Sequence, residues 1–210
     1  LKKEIDLRKE YLGTKKISTV YFGGGTPSLL TPKEILKIFE ALNKYFSIDT
    51  DAEITLEANP DDLVKDKILE LKQTPINRLS IGIQSFFDED LKLMNRVHNS
   101  EEAIRSVKIS QDAGFENITL DLIYGIPSLT SEKWMTNLST AFSLNVPHIS
   151  SYCLTVEPQT ALAHFIKKRK IKNVDEEKSA AQFEIMIGEM TRNNFIQYEI
   201  SNFCKEGFYS

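Results

Sequence analysis

The sequence predicts an α/β fold in which strands and helices alternate to form a partial parallel βα barrel. Short runs of alternating apolar residues are followed by segments of helical periodicity, and this unit recurs five or six times. Each crossover must return the chain to the same edge of the sheet, so repeated units of this length require parallel strands. So many consecutive units favour a barrel over an open sheet. No linker or low-complexity stretch interrupts them, and residues 1–210 are expected to form a single domain.

Composition excludes several classes of protein. Hydrophobic residues make up 41% of the 210-residue chain and charged residues 27%, a balance typical of globular proteins rather than disordered or membrane-embedded ones. The formal net charge of −4 argues against nucleic acid as a partner. The basic run 167–170 is interpreted as a solvated helix end. Two well-separated cysteines form no disulfide framework, which suits a reducing cytoplasm.

The predicted elements follow in order from these patterns. The chain opens on a helical segment rather than on the pattern of a signal peptide, and none is expected. The predicted strands cover residues 16–22, 53–57, 77–83, 117–122 and 148–153, with a sixth at 196–200. The predicted helices cover residues 1–8, 32–46, 62–72, 88–94, 100–113, 131–144 and 161–168, followed by an amphipathic helix marked by Phe183, Met186, Ile187 and Met190.

Helix boundaries are indicated by capping residues. Thr31 is the predicted N-cap of the second helix, with proline at the first helical position and Glu34 completing a capping box. An apolar stripe then recurs at helical spacing and should face the sheet. Ser100 is predicted to cap the helix that begins there, and Gly114 is predicted to end it.

The residues around a run of three glycines, 21–28, form the central motif of the chain. Glycine permits positive φ and leaves the backbone open to a close-lying ligand. The helix start that follows would favour a carboxylate or phosphate group. A plain tight connection between strand and helix is an equal alternative for the motif alone. The spacing matches neither the dinucleotide-binding fingerprint nor the P-loop.

Each predicted strand also ends in polar residues, and such ends converge on one face of a parallel barrel. These residues are Gly24, Thr26, Glu57, Asn59, Gln84, Ser85, Asp121, Tyr124, Thr155 and Glu157. Taken singly, Asp121 could cap a loop, Gln84 could bond a neighbouring strand, and Glu57 could pair with Arg78 or Lys65. Taken together, they predict a polar ligand. Arg96 could bind a ligand carboxylate or lie on the surface.

In these strand-end residues and Arg96, the chain resembles the radical SAM proteins similar to oxygen-independent coproporphyrinogen III oxidase. That family includes a heme chaperone branch. The resemblance covers nearly the whole chain. It is carried by the glycine turn 23–27, Glu57 in L-E-A-N-P, Gln84 in G-I-Q-S-F, Arg96 in N-R-V-H and Asp121 in D-L-I-Y-G-I-P. Each motif is weak alone, but their joint order and spacing are specific.

The resemblance implies a TIM-barrel-like partial barrel that binds S-adenosylmethionine across the strand ends. It implies that Gly24, Gly25 and Thr26 receive the amino and carboxylate end of the methionine. Glu57, Gln84, Arg96 and Asp121 would hold its other polar groups, and Thr155 completes the candidate set. In the family, a reduced [4Fe–4S] cluster donates an electron to the sulfonium and generates a 5′-deoxyadenosyl radical.

The sequence departs from the family in its cysteines. The cluster requires a C-x-x-x-C-x-x-C loop after the first strand, and this sequence has only Cys153 and Cys204, too far apart to replace it. The chain is therefore interpreted as lacking the family's first strand and cluster loop, and its later C-terminal domain. It provides no metal ligand and no catalytic residue of its own. We expect it to be inactive in radical chemistry, and a bound [4Fe–4S] cluster would contradict this.

Finer details favour one branch of the family. Asn59, His98 and the segment 198–203 resemble the heme chaperone, which implies heme as a ligand and a heme-receiving protein or membrane-associated acceptor as a partner. The first alternative is a true oxidase that decarboxylates the propionates of coproporphyrinogen III to give protoporphyrinogen IX. The second is an ordinary barrel enzyme that binds a phosphate ligand.

Overall fold

The computed structural model describes residues 1–210 and contains one seven-stranded sheet. The strands are β1 (Lys16–Phe22), β2 (Ser47–Ala58), β3 (Arg78–Gln84), β4 (Asn117–Tyr124), β5 (His148–Cys153), β6 (Ile196–Gln197) and β7 (Asn202–Cys204). Their order is β1-β2-β3-β4-β5-β7-β6, and the first five pair in parallel. The sheet curls into a half-barrel, so the predicted partial βα barrel is confirmed.

Eight helices accompany the strands. They are α1 (Lys2–Leu7), α2 (Pro32–Leu42), α3 (Lys65–Leu71), α4 (Asp88–Leu93), α5 (Ser100–Asp112), α6 (Ser131–Ser143), α7 (Ala161–Lys167) and α8 (Glu176–Arg192). The capping box of Thr31 and Glu34 is confirmed. The N-cap of α5 is Asn99 rather than the predicted Ser100, because the Asn99 side chain accepts the Glu102 N–H. None of these helices is long and apolar enough to span a membrane.

The predicted sixth strand at 196–200 is wrong in extent, because β6 covers only Ile196–Gln197 and is joined to the sheet through β7 rather than beside β5. The segment forms a hairpin in which β6 pairs with β7, and β7 lies antiparallel to β5. The turn is held by Glu199, whose carboxylate accepts hydrogen bonds from the Ser201 N–H and the Asn202 side-chain amide, both at 2.9 Å. This local hydrogen bonding bends the chain back at the point where the apolar pattern alone suggested a continuing strand.

The two faces of the sheet differ sharply in polarity. On β3, Leu79, Ile81 and Ile83 are fully buried in the 32-residue hydrophobic core that the helices complete. The alternate residues Arg78 and Ser80 are also buried, but they line a polar interior on the concave side. Successive residues of a strand point to opposite faces. The alternating sequence pattern therefore separates an apolar core from a polar lumen.

Hydrogen bonds from helix α8 hold the loop that follows β4 in place. The side-chain oxygen of Gln182 accepts the Gly125 N–H at 2.8 Å, and its amide nitrogen donates to the Leu129 carbonyl at 2.9 Å. Trp134 on α6 donates its indole N–H to the Gln182 carbonyl at 2.9 Å. Gln182 is fully buried, and this network fixes the loop at the carboxyl end of β4, the strand that carries Asp121.

Candidate functional site

The glycine turn after β1 leaves its backbone open on one side. Gly24 and Gly25 have φ of +77° and +65°, and a Cβ built at either position meets no atom within 4 Å. The Gly25 N–H donates to no protein acceptor. Gly23 is different, since a Cβ there would lie 2.7 Å from the ring of Tyr21. The turn can therefore accept a ligand against Gly24 and Gly25, while Gly23 packs against the protein.

Glu57 connects the end of β2 to this turn. Its carboxylate accepts the Tyr21 hydroxyl at 2.9 Å and the Gly24 N–H at 3.1 Å, one bond on each oxygen. Burial raises the pKa of Tyr21, and the Glu57 carboxylate raises it further. Neither Arg78 nor Lys65 forms an ion pair with Glu57, because Arg78 instead lies 3.7 Å from the Glu53 carboxylate. Each oxygen retains a lone pair for a ligand.

Gln84 ends β3 in a left-handed backbone conformation with φ of +66°. Its side chain folds back over Gly82, where an added Cβ would lie 2.9 Å from the Gln84 amide nitrogen. The next residue, Ser85, donates to the Asp90 carboxylate at 2.9 Å and accepts from the Asn137 amide at 3.1 Å. These buried bonds hold the strand end and position the Gln84 amide in the site.

Asp121 on β4 is partly buried and has no basic partner within ion-pair distance. The Ser80 hydroxyl reaches both of its carboxylate oxygens, at 3.2 and 3.1 Å. Burial raises the pKa of Asp121 to about 7, the Glu57 charge adds to the rise, and the Ser80 bond opposes it. A carboxyl group with such a pKa is typical of a site that binds a ligand.

Replacing Asp121 with asparagine should change how stability depends on pH. The unfolded side chain titrates near 3.9. The native state therefore binds more protons than the unfolded state between about pH 4 and 7, and this contribution to stability is lost as the pH rises through that window. Urea unfolding at pH 5 to 8 should show Asp121→Asn gaining stability relative to wild type as the pH rises. Asp51→Asn, at an exposed position of β2, is the control; equal pH profiles for wild type and Asp121→Asn would contradict the prediction.

Arg96 follows α4 in a loop shaped by Asn95, which has φ of +56°. The Arg96 N–H donates to the Leu91 carbonyl at 2.9 Å, which fixes the backbone of the loop. The guanidinium is partly buried and forms no ion pair or hydrogen bond with a protein group. Burial lowers its pKa, and the charges of Asp121 and Asp61 oppose that shift. An arginine without a protein partner is suited to a ligand carboxylate.

Two neighbouring polar cavities bring most of these residues together. The turn cavity has a volume of about 230 Å³ and the lumen cavity about 380 Å³, and they share Glu57, Ser80, Gln84 and Asp121. Gly25, Thr26 and Arg96 also line the turn cavity. Gly24 is next to this cavity, because its N–H donates to Glu57, which lines it. Seven of the eight predicted site residues therefore lie around one pair of cavities.

Thr155 is the predicted site residue that the structure does not bring to this pair. It lines a separate cavity of about 510 Å³, the apolar cavity, together with Leu93, Met94, Ile123, Leu154, Ala161, Leu162 and Phe165. Arg96 borders both this cavity and the turn cavity. Thr155 lies two residues beyond the end of β5, and the chain there leads away from the lumen towards α7.

Sequence reasoning missed three residues as members of the site: Tyr21, Ser80 and Arg78. Tyr21 binds Glu57, Ser80 binds Asp121, and Arg78 donates to Thr55 and Thr119 across the lumen. The alternation of β3 carried a signal for two of them. Arg78 and Ser80 alternate with the buried Leu79 and Ile81 and therefore had to face the other side of the sheet.

The side chains of this chain do not fit an iron–sulfur cluster. Such clusters are held by several thiolates. Cys153 is exposed at the end of β5 opposite Tyr124, whereas Cys204 is buried on β7 opposite His148. No group of three histidine, cysteine or acidic side chains is placed to hold a metal ion. No chemical step of a cluster is therefore assigned to these residues.

Comparison with known proteins gives one consistent family. The family model described as the radical SAM superfamily matches residues 2–140. The chain is similar to heme chaperone HemW of Bacillus subtilis, with 37% identity over 199 residues covering 94% of this chain and 52% of the relative. HemW of Escherichia coli is 34% identical over 205 residues, covering 98% and 53%.

A solved structure supports the same relationship. The coproporphyrinogen III oxidase HemN of Escherichia coli, described as a radical SAM enzyme, superposes with a TM-score of 0.82 and 27% identity, covering 98% of this chain and 47% of that one. The chain thus spans about half the length of these relatives. The family model accounts for well over half of the chain, and the motifs on which the resemblance rested all lie within the matched residues. The chain belongs to the radical SAM superfamily.

Proposed function

We propose that residues 1–210 are the S-adenosylmethionine-binding barrel domain of a heme chaperone. The observation that supports the proposal is the turn cavity, in which the open Gly25 amide, an unpaired arginine and two carboxylates face the same space. S-adenosylmethionine carries an ammonium, a carboxylate, a sulfonium and ribose hydroxyls. This ligand needs both signs of charge within a few ångströms, and the turn cavity supplies both.

Each group of the ligand has a chemical counterpart among the candidate residues. In the proposed pose, Glu57 accepts hydrogen bonds from the ammonium beside the glycine turn, and the Gly25 N–H donates to the ligand. Arg96 pairs with a carboxylate, since its guanidinium lacks a protein partner. Asp121 and Gln84 are left for the ribose hydroxyls and the adenosine moiety. When bound, the family's cluster would supply the electron for radical formation; the residues here bind and orient the ligand.

Removing either carboxylate should weaken binding of S-adenosylmethionine. In the complete protein, Glu57→Ala and Asp121→Ala should each cost about 1–3 kcal/mol of binding free energy, because a charge-assisted hydrogen bond is lost. This corresponds to about 5- to 150-fold in the dissociation constant measured by calorimetry. Asp51→Ala removes the same charge from an exposed position of β2 and should leave the affinity unchanged. Wild-type affinity in both site variants would contradict the assignment.

The choice of heme chaperone over oxidase rests on the relatives. The HemW proteins share 31–37% identity with this chain, whereas the HemN structure shares 27%. The former proteins are named heme chaperones, and we propose heme binding and delivery for the complete protein that contains this chain. A heme-receiving protein or a membrane-associated acceptor is the partner that this activity requires.

One experiment separates the chaperone from its alternatives. The complete protein, reconstituted with iron and sulfide under anaerobic conditions, would be given S-adenosylmethionine, a reductant and coproporphyrinogen III. We expect no loss of carboxyl groups by mass spectrometry and a saturable titration with heme. Decarboxylated product would instead establish the oxidase, which the HemN-like fold favours as the second candidate. Selective binding of a sugar phosphate without S-adenosylmethionine would favour the phosphate-binding barrel.

A further inference from the structure

His98 is a buried residue in the loop that carries Arg96. Residues 95–98 form this loop between α4 and α5. Burial alternates along it, since Arg96 is partly buried, Val97 is 86% exposed and His98 is 3% exposed. Val97 faces solvent, so Arg96 and His98 both turn towards the protein.

The His98 ring is bonded to the end of β3. Its Nε2 lies 3.1 Å from the Ile83 carbonyl oxygen. A carbonyl oxygen only accepts hydrogen bonds, so Nε2 carries the ring hydrogen and donates it. Burial lowers the pKa of His98 below its usual value of 6.5. The ring is therefore neutral at pH 7, and its single N–H is committed to Ile83.

The other ring nitrogen faces the short segment that follows β2. Nδ1 lies 3.7 Å from the Asp61 carboxylate. The neutral ring carries no hydrogen on Nδ1, so this contact is not an ion pair. Burial lowers the pKa of Arg96, and the Asp61 charge is one of two that oppose this shift. His98 therefore lies between the segment after β2, the end of β3 and the loop that carries Arg96.

The position of the Arg96 guanidinium depends on how this loop is held. The guanidinium forms no ion pair or hydrogen bond with a protein group, so only the backbone of the loop directs it. His98 is the one residue of the loop whose side chain bonds to another segment. Its acceptor Ile83 directly precedes Gln84, and Gln84 and Arg96 both line the turn cavity. Losing the bond would free the guanidinium to move relative to the rest of the cavity, and a displaced hydrogen bond is weak.

We propose that His98 positions Arg96 for the carboxylate of S-adenosylmethionine by binding the loop to the carboxyl end of β3. This inference rests on the proposed function, in which Arg96 pairs with a ligand carboxylate. His98 itself touches no group of the ligand, so it is a positioning residue rather than a binding or catalytic one. Its effect should therefore be confined to ligands that carry the carboxylate.

The test is a calorimetric titration of the complete, reconstituted protein with S-adenosylmethionine and with decarboxylated S-adenosylmethionine. The second ligand keeps the ammonium, the sulfonium and the ribose but lacks the carboxylate. His98→Leu fills the space of the ring and cannot donate a hydrogen bond. It should raise the dissociation constant of S-adenosylmethionine about fivefold or more, a loss expected when a charge-assisted bond is weakened. The dissociation constant of the decarboxylated ligand should stay within about twofold of wild type.

Two further variants and a control sharpen the comparison. His98→Gln keeps a side-chain N–H for the Ile83 carbonyl and should restore most of the affinity. In an Arg96→Ala background, His98→Leu should add less than about a twofold change, because the residue through which His98 acts is absent. His164→Leu removes an exposed histidine of α7 and should bind both ligands like wild type. If His98→Leu does not fold like wild type by circular dichroism, His98→Ala, which leaves more room, takes its place.

Different results would count against the inference and against the function on which it rests. Equal losses for both ligands, or an undiminished loss in the Arg96→Ala background, would show that His98 only supports the fold, and would overturn the inference. Unchanged affinity in His98→Leu would also overturn it and leave S-adenosylmethionine binding intact. Wild type that binds both ligands equally well would show that Arg96 does not pair with the carboxylate, with the same consequence. Wild type that binds neither ligand would overturn both.

Discussion

Replacing Trp134 with alanine should lower the free energy of unfolding by about 3–5 kcal/mol, the range measured for large aromatic residues in cores. Trp134 is fully buried, and its ring centroid lies 5.8 Å from that of Tyr124. The change would leave a cavity between α6, α8 and β4. It would also remove the indole N–H that donates to the Gln182 carbonyl at 2.9 Å, so a buried acceptor would lose its donor.

Denaturant unfolding followed by circular dichroism would measure this effect, because Trp134 is the only tryptophan and its fluorescence disappears with the substitution. Met135→Ala is the matched control. It truncates the next residue of the same helix, where the side chain is 45% exposed, and should shift stability by no more than about 0.5 kcal/mol. If the free energy of unfolding fell as little in Trp134→Ala as in the control, Trp134 would not pack between α6 and α8 as the structure indicates.

Gly24→Val should abolish measurable binding of S-adenosylmethionine. Gly24 has φ of +77°, a conformation that a β-branched residue adopts only under strain of about 1–3 kcal/mol. The open space that faces the position means that the valine side chain would enter the path of the ligand rather than strike the protein. Any relaxation of the turn would also pull the Gly24 N–H away from the Glu57 carboxylate, 3.1 Å distant.

Gly13→Val provides a closely matched control for this experiment. Gly13 also has a positive φ, +64°, and also has no atom within 4 Å of an added Cβ, but it precedes β1 and its N–H donates to the Glu10 carbonyl at 3.4 Å rather than to Glu57. Both variants should lose similar stability, and only Gly24→Val should lose calorimetric affinity for S-adenosylmethionine. Normal affinity in Gly24→Val would show that the glycine turn is only a connection between β1 and α2.

The fold was predictable wherever local chemistry and packing agree. Thr31 and Glu34 form the predicted capping box, and the alternating residues of β3 and β4 place their apolar members in the core. The hairpin of β6 and β7 was not predictable in the same way. Its reversal depends on Glu199 bonding to residues two and three positions later, while pairing with β5 supplies the remaining backbone bonds. Apolar periodicity carries no information about either effect.

The site was predictable where the barrel geometry alone brings residues together. Glu57 and Gln84 lie at the carboxyl ends of β2 and β3, Asp121 lies within the neighbouring strand β4, and parallel pairing places all three around the same cavities. Thr155 lies beyond its strand, so register no longer controls its position. Tyr21 is exposed over 56% of its surface, and its role depends on reaching Glu57 across the strand pair, a contact that no local pattern encodes.

The division of the sheet into an apolar and a polar face has an evolutionary consequence. Positions such as 79, 81, 118, 120 and 149 are buried in the hydrophobic core, whereas 78, 80, 119, 121, 148 and 150 line the lumen. Because the two sets alternate along the same strands, a change at a lumen position leaves the hydrophobic core intact. Substitutions at lumen positions can therefore change which groups the interior binds while the core residues stay the same. In this way proteins that share one fold can come to bind many different substrates.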